Sequence, residues 1–584
     1  MLVLPLILAE KGFSGLLNKM IYRIREELTT FKIMKRKLSV LYPLLKPSIL
    51  PLLMVIILFS NCQRKEEKKV VRDTTITPKN AVTILFVDSM EMEKYIVGLQ
   101  LEDTAANRLR NFYNSRNFQF AWLSETGLAE QAKVFYELDK NYAVTSGDTT
   151  STDRMLLKRM GELLSKDTVI KAVTPALINL ELALTEHFFH FVSVAYAGKL
   201  NPAALQWYIP RKKLDAVALL DSLVAKKGKN VEEWEPVNKY YKTLNTALTR
   251  WYNIQKKGNW IKIDPGKIKR YQEGDSGLVI VQLKQRLVDF GDMADGDSSA
   301  VFTTDMTTAV KKAQKQFGLT VTGKADRMLI AALNVPVESR IQQMLINLER
   351  MRWTPLFPES RLILVNIPEY KLHVFENKKE VLNMGIVVGK AATQTVIFSN
   401  QLKNIVFSPY WNIPPSIVRA EIIPAMRRNK NYLSQKNMEQ YGFSDGLPLV
   451  RQKPGNTNSL GRVKFLFPNS YNIYLHDTPS KSLFAEEKRA FSHGCIRLAQ
   501  PKKLAEYLLP DSLGWTSARI EKAMSGRKET WVTLKHTVPV FITYFTSWVD
   551  KDGLLNFRDD LYGHDRKMAV QLFKSVAVRN DKKL

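Results

Sequence analysis

From about Ala81 to Ile263 apolar residues recur three and four positions apart, in runs such as Thr104–Ser115 and Leu177–Ala197, which is the spacing of helices with one buried face. A second helical unit runs from about Ile268 to Asn334. It opens with Glu273-Gly274-Asp275-Ser276-Gly277, continues through Val279–Phe290 to Gly291, and passes Asp295-Gly296 and a Phe302-Thr303 turn into Thr307–Phe317. Gly318-Leu319 and Gly323 precede a last short helix, the glycines serving as helix stops and tight turns. After a helical connector through Met351-Arg352-Trp353 the pattern changes at Arg361. Leu362–Ile367, Tyr370–Phe375, Val381–Val388 and Asn404–Phe407 read as strands separated by Asn-Lys, Gly-Lys and Pro turns. From Ile417 to Gln440 the helical pattern returns around Pro424, and an insertion of this kind beside a β core predicts a substrate lid. The expected fold class is multidomain α+β.

The N-terminal pattern is of another kind. A basic cluster, Met34-Lys35-Arg36-Lys37, is followed by the apolar run Pro47–Ser60, the layout of a signal peptide. That run is about 14 residues, where a spanning helix needs about 20. Cys62 comes directly after it, in Leu58-Phe59-Ser60-Asn61-Cys62, which resembles a bacterial lipobox apart from Asn61 in the place of a small residue. A lipidated cysteine, an uncleaved membrane anchor and an ordinary signal peptide all remain open. Residues 1–33 then read as an upstream extension with Met34 as the start, and 63–80 as a polar linker.

With 584 residues the chain exceeds what one core organises, and its 45% hydrophobic and 24% charged composition is that of folded domains. The net charge of +29 suits nucleic acid, anionic lipid or acidic polysaccharide. Lys and Arg are spread along the whole chain without a nucleic-acid-binding signature, so no nucleic-acid partner is expected. Arg419, Arg427 and Arg428 of the insertion are available to an acidic ligand. The aromatic segments Phe112-Tyr113 and Phe118–Trp122 read as core. His187 and His190, three apart on one helical face, lack a third metal ligand nearby and read as packing residues.

The two cysteines, Cys62 and Cys495, lie in such different settings that a disulfide between them is not expected. Ile473-Tyr474-Leu475 reads as a strand delivering His476, Asp477, Thr478 and Pro479, and Ser492-His493-Gly494-Cys495-Ile496-Arg497-Leu498 follows. A histidine base turns a thiol into a thiolate, a strong nucleophile toward carbonyl carbon. Gly494 lets backbone approach a substrate, and the amides around Cys495 can hold a tetrahedral oxyanion. On residue types alone, a buried structural cysteine and a partial zinc site stay open beside nucleophilic catalysis.

The order His476, then Ser492-His493-Gly494-Cys495 with Arg497 two further on, resembles the active-site signature of the L,D-transpeptidases. The resemblance extends to Val365-Asn366-Ile367-Pro368, Val388-Gly389-Lys390, Pro409–Pro415, Leu460–Phe465 and His476-Asp477-Thr478-Pro479. The unit at 268–334 resembles the three-helix peptidoglycan-binding domain. Together they resemble the large, scaffold-containing periplasmic members of the family over residues 85 to 570. The implied division is 34–62 signal peptide or anchor, 81–263 helical scaffold, 264–335 peptidoglycan-binding domain, 336–360 connector, 361–545 mostly β catalytic domain with a lid at 417–440, and 546–584 tail.

The resemblance implies Cys495 as nucleophile, His476 as proton acceptor and donor, and the main-chain carbonyl of Asp477 as the group orienting the ring. It leaves His493 as secondary or reserve base, Arg497 as a loop brace or a substrate-carboxylate contact, and Tyr474 and Trp411 as cleft or core residues. The implied reaction releases D-alanine from a tetrapeptide stem and joins the stem to a neighbouring one, with no metal or organic cofactor, at the periplasmic side of the cell envelope. Two rivals are weighed. In a papain-like wall peptidase the nucleophile precedes the histidine, opposite to the order here, and a non-catalytic wall-binding lipoprotein has no need of an intact His476 and Cys495.

Overall fold

A computed structural model describes residues 70–77, 83–146, 153–165, 169–211, 213–258, 260–354 and 360–573. The expected signal or anchor at 34–62, Cys62 included, lies outside the described residues. The elements below belong to one compact unit, Arg72–Leu584. No helix among the described residues is long and apolar enough to cross a membrane.

The first region is helical. Helix α1 (Asp103–Ser115) buries Leu109, Phe112 and Tyr113, and α2 (Pro175–Phe191) starts at a Thr174 cap with proline in its first turn. Trp122, Phe135, Phe188 and Phe191 form an aromatic core between these elements. His187 is buried and hydrogen-bonds Asp139 at 2.8 Å, a packing arrangement. The chain then does something the helical pattern did not announce. Trp207–Tyr208 forms a strand, β1, that leaves the helices and pairs with the catalytic sheet. Burial of Trp207 against Trp353 and Phe545 holds it there. Helix α3 (Lys239–Lys257) begins at an Asn238 cap and buries Leu244, Leu248 and Trp251.

The next three helices follow the predicted order: α4 (Leu278–Phe290), α5 (Thr304–Phe317) and α6 (Arg327–Leu333). α5 begins earlier than its apolar run suggests because the Thr303 hydroxyl caps it. α7 (Val337–Trp353) is buried on nearly every side, charged residues included. Arg352 meets Glu349 at 3.0 Å, the Ala195 carbonyl at 2.9 Å and the Tyr241 hydroxyl at 3.0 Å, so this helix ties the scaffold to the rest.

Beyond it a closed sheet forms from β2 (Arg361–Asn366), β3 (Lys371–Glu376), β4 (Lys379–Gly389), β5 (Ile397–Phe407), β6 (Val463–Leu466), β7 (Leu475–His476), β8 (Ala490–Ser492), β9 (Ile496–Leu498) and β10 (Thr530–Thr543). The strands run β6-β7-β9-β4-β3-β2-β10-β5, and β5 pairs again with β6 to complete the ring. β1 occupies the remaining length of the same edge of β5. The α+β class is therefore as expected, with helices first and a β-rich domain after.

Two local readings are corrected. The insertion is helical only to Gln435, and Met438–Ser444 is a strand paired with Leu447–Gln452. Pro424 cannot donate an N–H, and the segment before it, Val418–Ile422, widens into a π turn. The stretch expected as a tail instead forms a hairpin, Ser547–Val549 with Leu555–Phe557, and helix α8 (His564–Leu572). Polar anchors on α7 draw it in: Arg350 pairs with Asp565 at 2.6 Å, and the Asn347 amide donates to the Thr546 hydroxyl at 2.7 Å.

Because Arg350 is almost fully buried, Arg350→Leu leaves Asp565 without its cation. Stability should fall by about 3 kcal/mol, read as a lower denaturation midpoint. An unchanged midpoint would contradict the anchoring role given to this pair.

Candidate active site

Strands β7 and β9 run parallel and in register, Leu475 beside Ile496 and His476 beside Arg497, and the Ile496 N–H donates to the Tyr474 carbonyl at 3.1 Å. Side chains two apart on a strand share a face. Leu475, Ile496 and Leu498 therefore fill the interior, all fully buried. Tyr474 and His476 share the opposite face with Cys495 and Arg497.

His476 is buried, and its Nδ1 lies 2.5 Å from the Asp477 carbonyl oxygen. A carbonyl only accepts, so Nδ1 carries the proton and Nε2 is the basic nitrogen of the neutral ring. Burial, followed by the charge of Arg497, lowers the imidazole to about 4 against the pull of the Asp477 and Leu460 main chain. Burial raises the Cys495 thiol, opposed by hydrogen bonds from the Tyr474 main chain and hydroxyl and by the Arg497 charge. Both shifts favour a neutral thiol–imidazole pair at rest. The thiol itself donates to the Asn472 carbonyl at 3.4 Å.

The carbonyl that orients His476 is fixed from behind. Asp477 Oδ2 accepts the Arg462 N–H at 2.9 Å and Oδ1 accepts Lys481 Nζ at 2.6 Å. Gly461, at φ +60°, lies so close that a Cβ there would fall 2.4 Å from Asp477 Cγ. The nucleophile loop is held as firmly. Gly494 has φ +110°, its carbonyl accepts from Thr395 Oγ1 at 2.8 Å, and its N–H donates to Ser492 Oγ at 3.2 Å. Thr395 Oγ1 also accepts the Gly389 N–H at 2.9 Å, and Tyr562 donates from its hydroxyl to the Gly389 carbonyl at 2.5 Å. Ser492 donates to the Cys495 carbonyl at 2.6 Å, and Thr393 donates to the Ser492 carbonyl at 3.0 Å.

The insertion and the short strand that precedes it, Trp411–Asn412, each meet this site at one point. Trp411 hydrogen-bonds the Tyr474 side chain. His493, half-exposed, lies 3.5 Å from Glu421 in the π turn. The insertion packs with its flanking segments around a small core of Ile413, Val418, Ile422 and Val450. Arg497 is half-buried, and its Nε is buried without a hydrogen-bond partner among the described residues. Cys495, His476, Asp477, Gly494, Arg497, Tyr474 and Trp411 are thus brought together, while His493 turns toward the insertion. Among the described residues no group of three or more His, Cys, Asp or Glu is arranged to hold a metal ion.

Residues 360–533 match the family described as the L,D-transpeptidase catalytic domain. This region is an L,D-transpeptidase catalytic domain. Residues 107–248 match the scaffold domain and 276–333 the "Putative peptidoglycan binding domain" that accompany it. A curated Haemophilus influenzae protein named "Putative L,D-transpeptidase" is 33% identical over 248 residues, 40% of this chain and 50% of that protein. The chain thus spans about half the length of the curated relative it matches. Among solved structures, the L,D-transpeptidase of Xylanimonas cellulosilytica is 14% identical, covering 48% of this chain and 100% of that one, with a TM-score of 0.16. The L,D-transpeptidase 1 of Mycobacterium tuberculosis is 15% identical, covering 32% and 61%, with a TM-score of 0.15. Scores this low carry no argument.

Sequence reasoning missed several parts of this site. Thr395 stands six residues after Gly389, near the quoted Val388-Gly389-Lys390 run, and that proximity was the available signal. Tyr562 lies in the supposed tail and Asn472 in a polar loop, and neither carried any.

Thr395→Val leaves the Gly494 carbonyl and the Gly389 N–H unpaired in a buried place, so stability should fall by about 2 kcal/mol. Thr395→Ser, keeping the hydroxyl, should recover most of it in the same denaturation assay; equal losses would show that the hydrogen bonds are not the cause. His476 supplies a pH test. Between the unfolded value of about 6.5 and the folded value of about 4, the unfolded chain holds a proton that the folded chain does not, so stability falls with falling pH. His476→Gln should therefore lose less stability than wild type between pH 7 and pH 4.5, and an equal loss would contradict the depressed imidazole.

Proposed function

We propose that the protein is an L,D-transpeptidase that forms 3→3 cross-links in peptidoglycan through a thioester on Cys495. The observation that carries this reading is the shared face of β7 and β9, where Cys495 and His476 stand as diagonal neighbours and the Asp477 carbonyl orients the ring.

In the first half-reaction His476 Nε2 takes the thiol proton as sulfur attacks the carbonyl of the third residue of a tetrapeptide stem. Keeping both partners neutral at rest means that the proton moves only when a carbonyl is present to receive the electrons. Main-chain N–H groups around Cys495 stabilise the oxyanion; that of Gly494 is the less available, since Ser492 Oγ accepts from it. The C–N bond then breaks, D-alanine leaves with the proton returned by His476, and a thioester remains. A side-chain amine of a diamino acid on a neighbouring stem attacks the thioester, His476 takes its proton, and the thiol is re-formed with the new amide.

Arg497 lies on the same face with a free Nε, which suits a substrate carboxylate or carbonyl. The insertion, linked to His493 by Glu421 and preceded by Trp411, which contacts Tyr474, serves as the lid. The accessory domains hold the enzyme to the wall, in the cell envelope. Tethering to the membrane, by lipid on Cys62 or by an anchor at 34–62, is part of the same proposal and rests on the sequence pattern.

Incubation with disaccharide-tetrapeptides and mass spectrometry of the products tests the reading. Wild type should give dimers with stoichiometric release of D-alanine, and Cys495→Ala should give none. His476→Ala should be slower by about 10²- to 10⁴-fold. D-alanine release without dimers would replace transpeptidation by carboxypeptidation, and an active Cys495→Ala would remove the nucleophile assignment.

A further inference from the structure

The carbonyl that accepts the Cys495 proton belongs to Asn472, which stands at φ +56° in the loop between β6 and β7. This loop is organised by Asn469. Its amide donates to the carbonyls of Phe467 and Ile473, and its oxygen accepts the N–H groups of Tyr471 and Ile473, at 2.7 to 3.1 Å. Its one large outer side chain, Tyr471, is 39% exposed and rests on two rings from outside the loop. One is Phe398 of β5, centroids 5.1 Å apart. The other is Tyr208 of β1, stacked at 5.7 Å and 27°.

Tyr208 is not part of the catalytic domain. It arrives on the strand that the scaffold adds to the sheet, where it pairs with Phe398. Trp207 is its buried neighbour, clamped by Trp353 and Phe545, so the position of Tyr208 is set by the joint between scaffold and catalytic domain. The path from that joint to the sulfur is short: Trp207, Tyr208, Tyr471, Asn472, Cys495. The last step has chemical content. A carbonyl that accepts from a thiol stabilises the S–H form, and the same oxygen dipole opposes a thiolate. Tyr474 and Arg497 act in the other direction. The resting state of the nucleophile is thus a balance, with burial and the Asn472 carbonyl on one side and Tyr474 and Arg497 on the other.

We propose that Tyr208 of the scaffold domain is a positioning residue for Cys495, acting through Tyr471 to hold the Asn472 carbonyl on the thiol and so keep the nucleophile protonated until substrate arrives. The inference rests on Cys495 as the nucleophile, but its test does not depend on turnover.

The test is the pH dependence of iodoacetamide alkylation of Cys495 in the full chain, followed by peptide mass spectrometry so that Cys62 is counted separately. Tyr208→Ala should move the midpoint to lower pH, raising the rate at neutral pH about threefold to tenfold, as expected for losing one hydrogen bond to the neutral form. The plateau rate at high pH should be unchanged. Tyr208→Phe keeps the stack and should match wild type. Tyr471→Ala should reproduce the shift from the other side of the stack, and the double variant should go no further. Both tyrosines are partly exposed, so the folded state should survive, and thermal unfolding of each variant checks it. A midpoint that stays in place, whether or not the plateau rises, would overturn the proposal, because a stack that merely shields the sulfur changes access at every pH. A shift to higher pH would overturn it as well. If either tyrosine variant fails to fold, the remaining one decides the matter alone. Alkylation that behaves as predicted in a protein that makes no cross-links would leave this inference standing and remove the transpeptidase reading, so the two fail separately.

Discussion

The parallel, in-register pairing of Leu475–His476 with Ile496–Leu498 is the constraint from which the site follows. Two short strands place four functional side chains on one face and three apolar ones in the interior. A slip of one residue would exchange the two sets, turning Cys495 and His476 into the interior and leucine and isoleucine onto the catalytic face. The apolar residues between the catalytic ones therefore do positional work: full burial of Leu475, Ile496 and Leu498 fixes the register. The same closed sheet accounts for the supports behind the face, since β4 presents Gly389 to Thr395, which holds the Gly494 carbonyl, and Val463 of β6 with Arg462 just before it holds Asp477.

Burial has a second consequence. It pushes the thiol up and the imidazole down, and the Arg497 charge lowers both groups. A site of this kind stores little reactive thiolate, which suits the proposed role in the cell envelope. Reactivity then depends on what approaches the sulfur: a substrate carbonyl, the basic Nε2, and the Asn472 carbonyl that competes for the proton. The insertion and the scaffold each reach this small region, the first through Glu421 and the second through Tyr208.

Much of this was legible in the sequence. The three-helix unit, the change of pattern at Arg361 and the early strands came from apolar runs and the turn residues between them, and apolar runs report burial directly. The pairing of His476 with Cys495 came from a motif whose residues lie close in sequence and share adjacent strands. What stayed hidden depends on long-range contacts. Val418–Ile422 looked like ordinary helix because nothing local marks a π turn except the proline that follows. Met438–Gln440 read as helix because the alternation of the strand they open is short and half-exposed. The C-terminal hairpin and α8 are polar enough to pass for a tail, and they fold through partners on α7 roughly two hundred residues earlier. β1 has two residues and no pattern at all, and its partner is Ile397-Phe398.

The account turns on a covalent bond at one atom. Rapid acid quenching of wild-type protein mixed with a tetrapeptide stem, followed by intact-mass and peptide-map analysis, measures it directly. The expected result is a transient mass gain equal to the stem less D-alanine, carried on the peptide containing Cys495, absent from Cys495→Ala and slow to form in His476→Gln. Product release with no adduct on that peptide, or an adduct at any other residue, would contradict it.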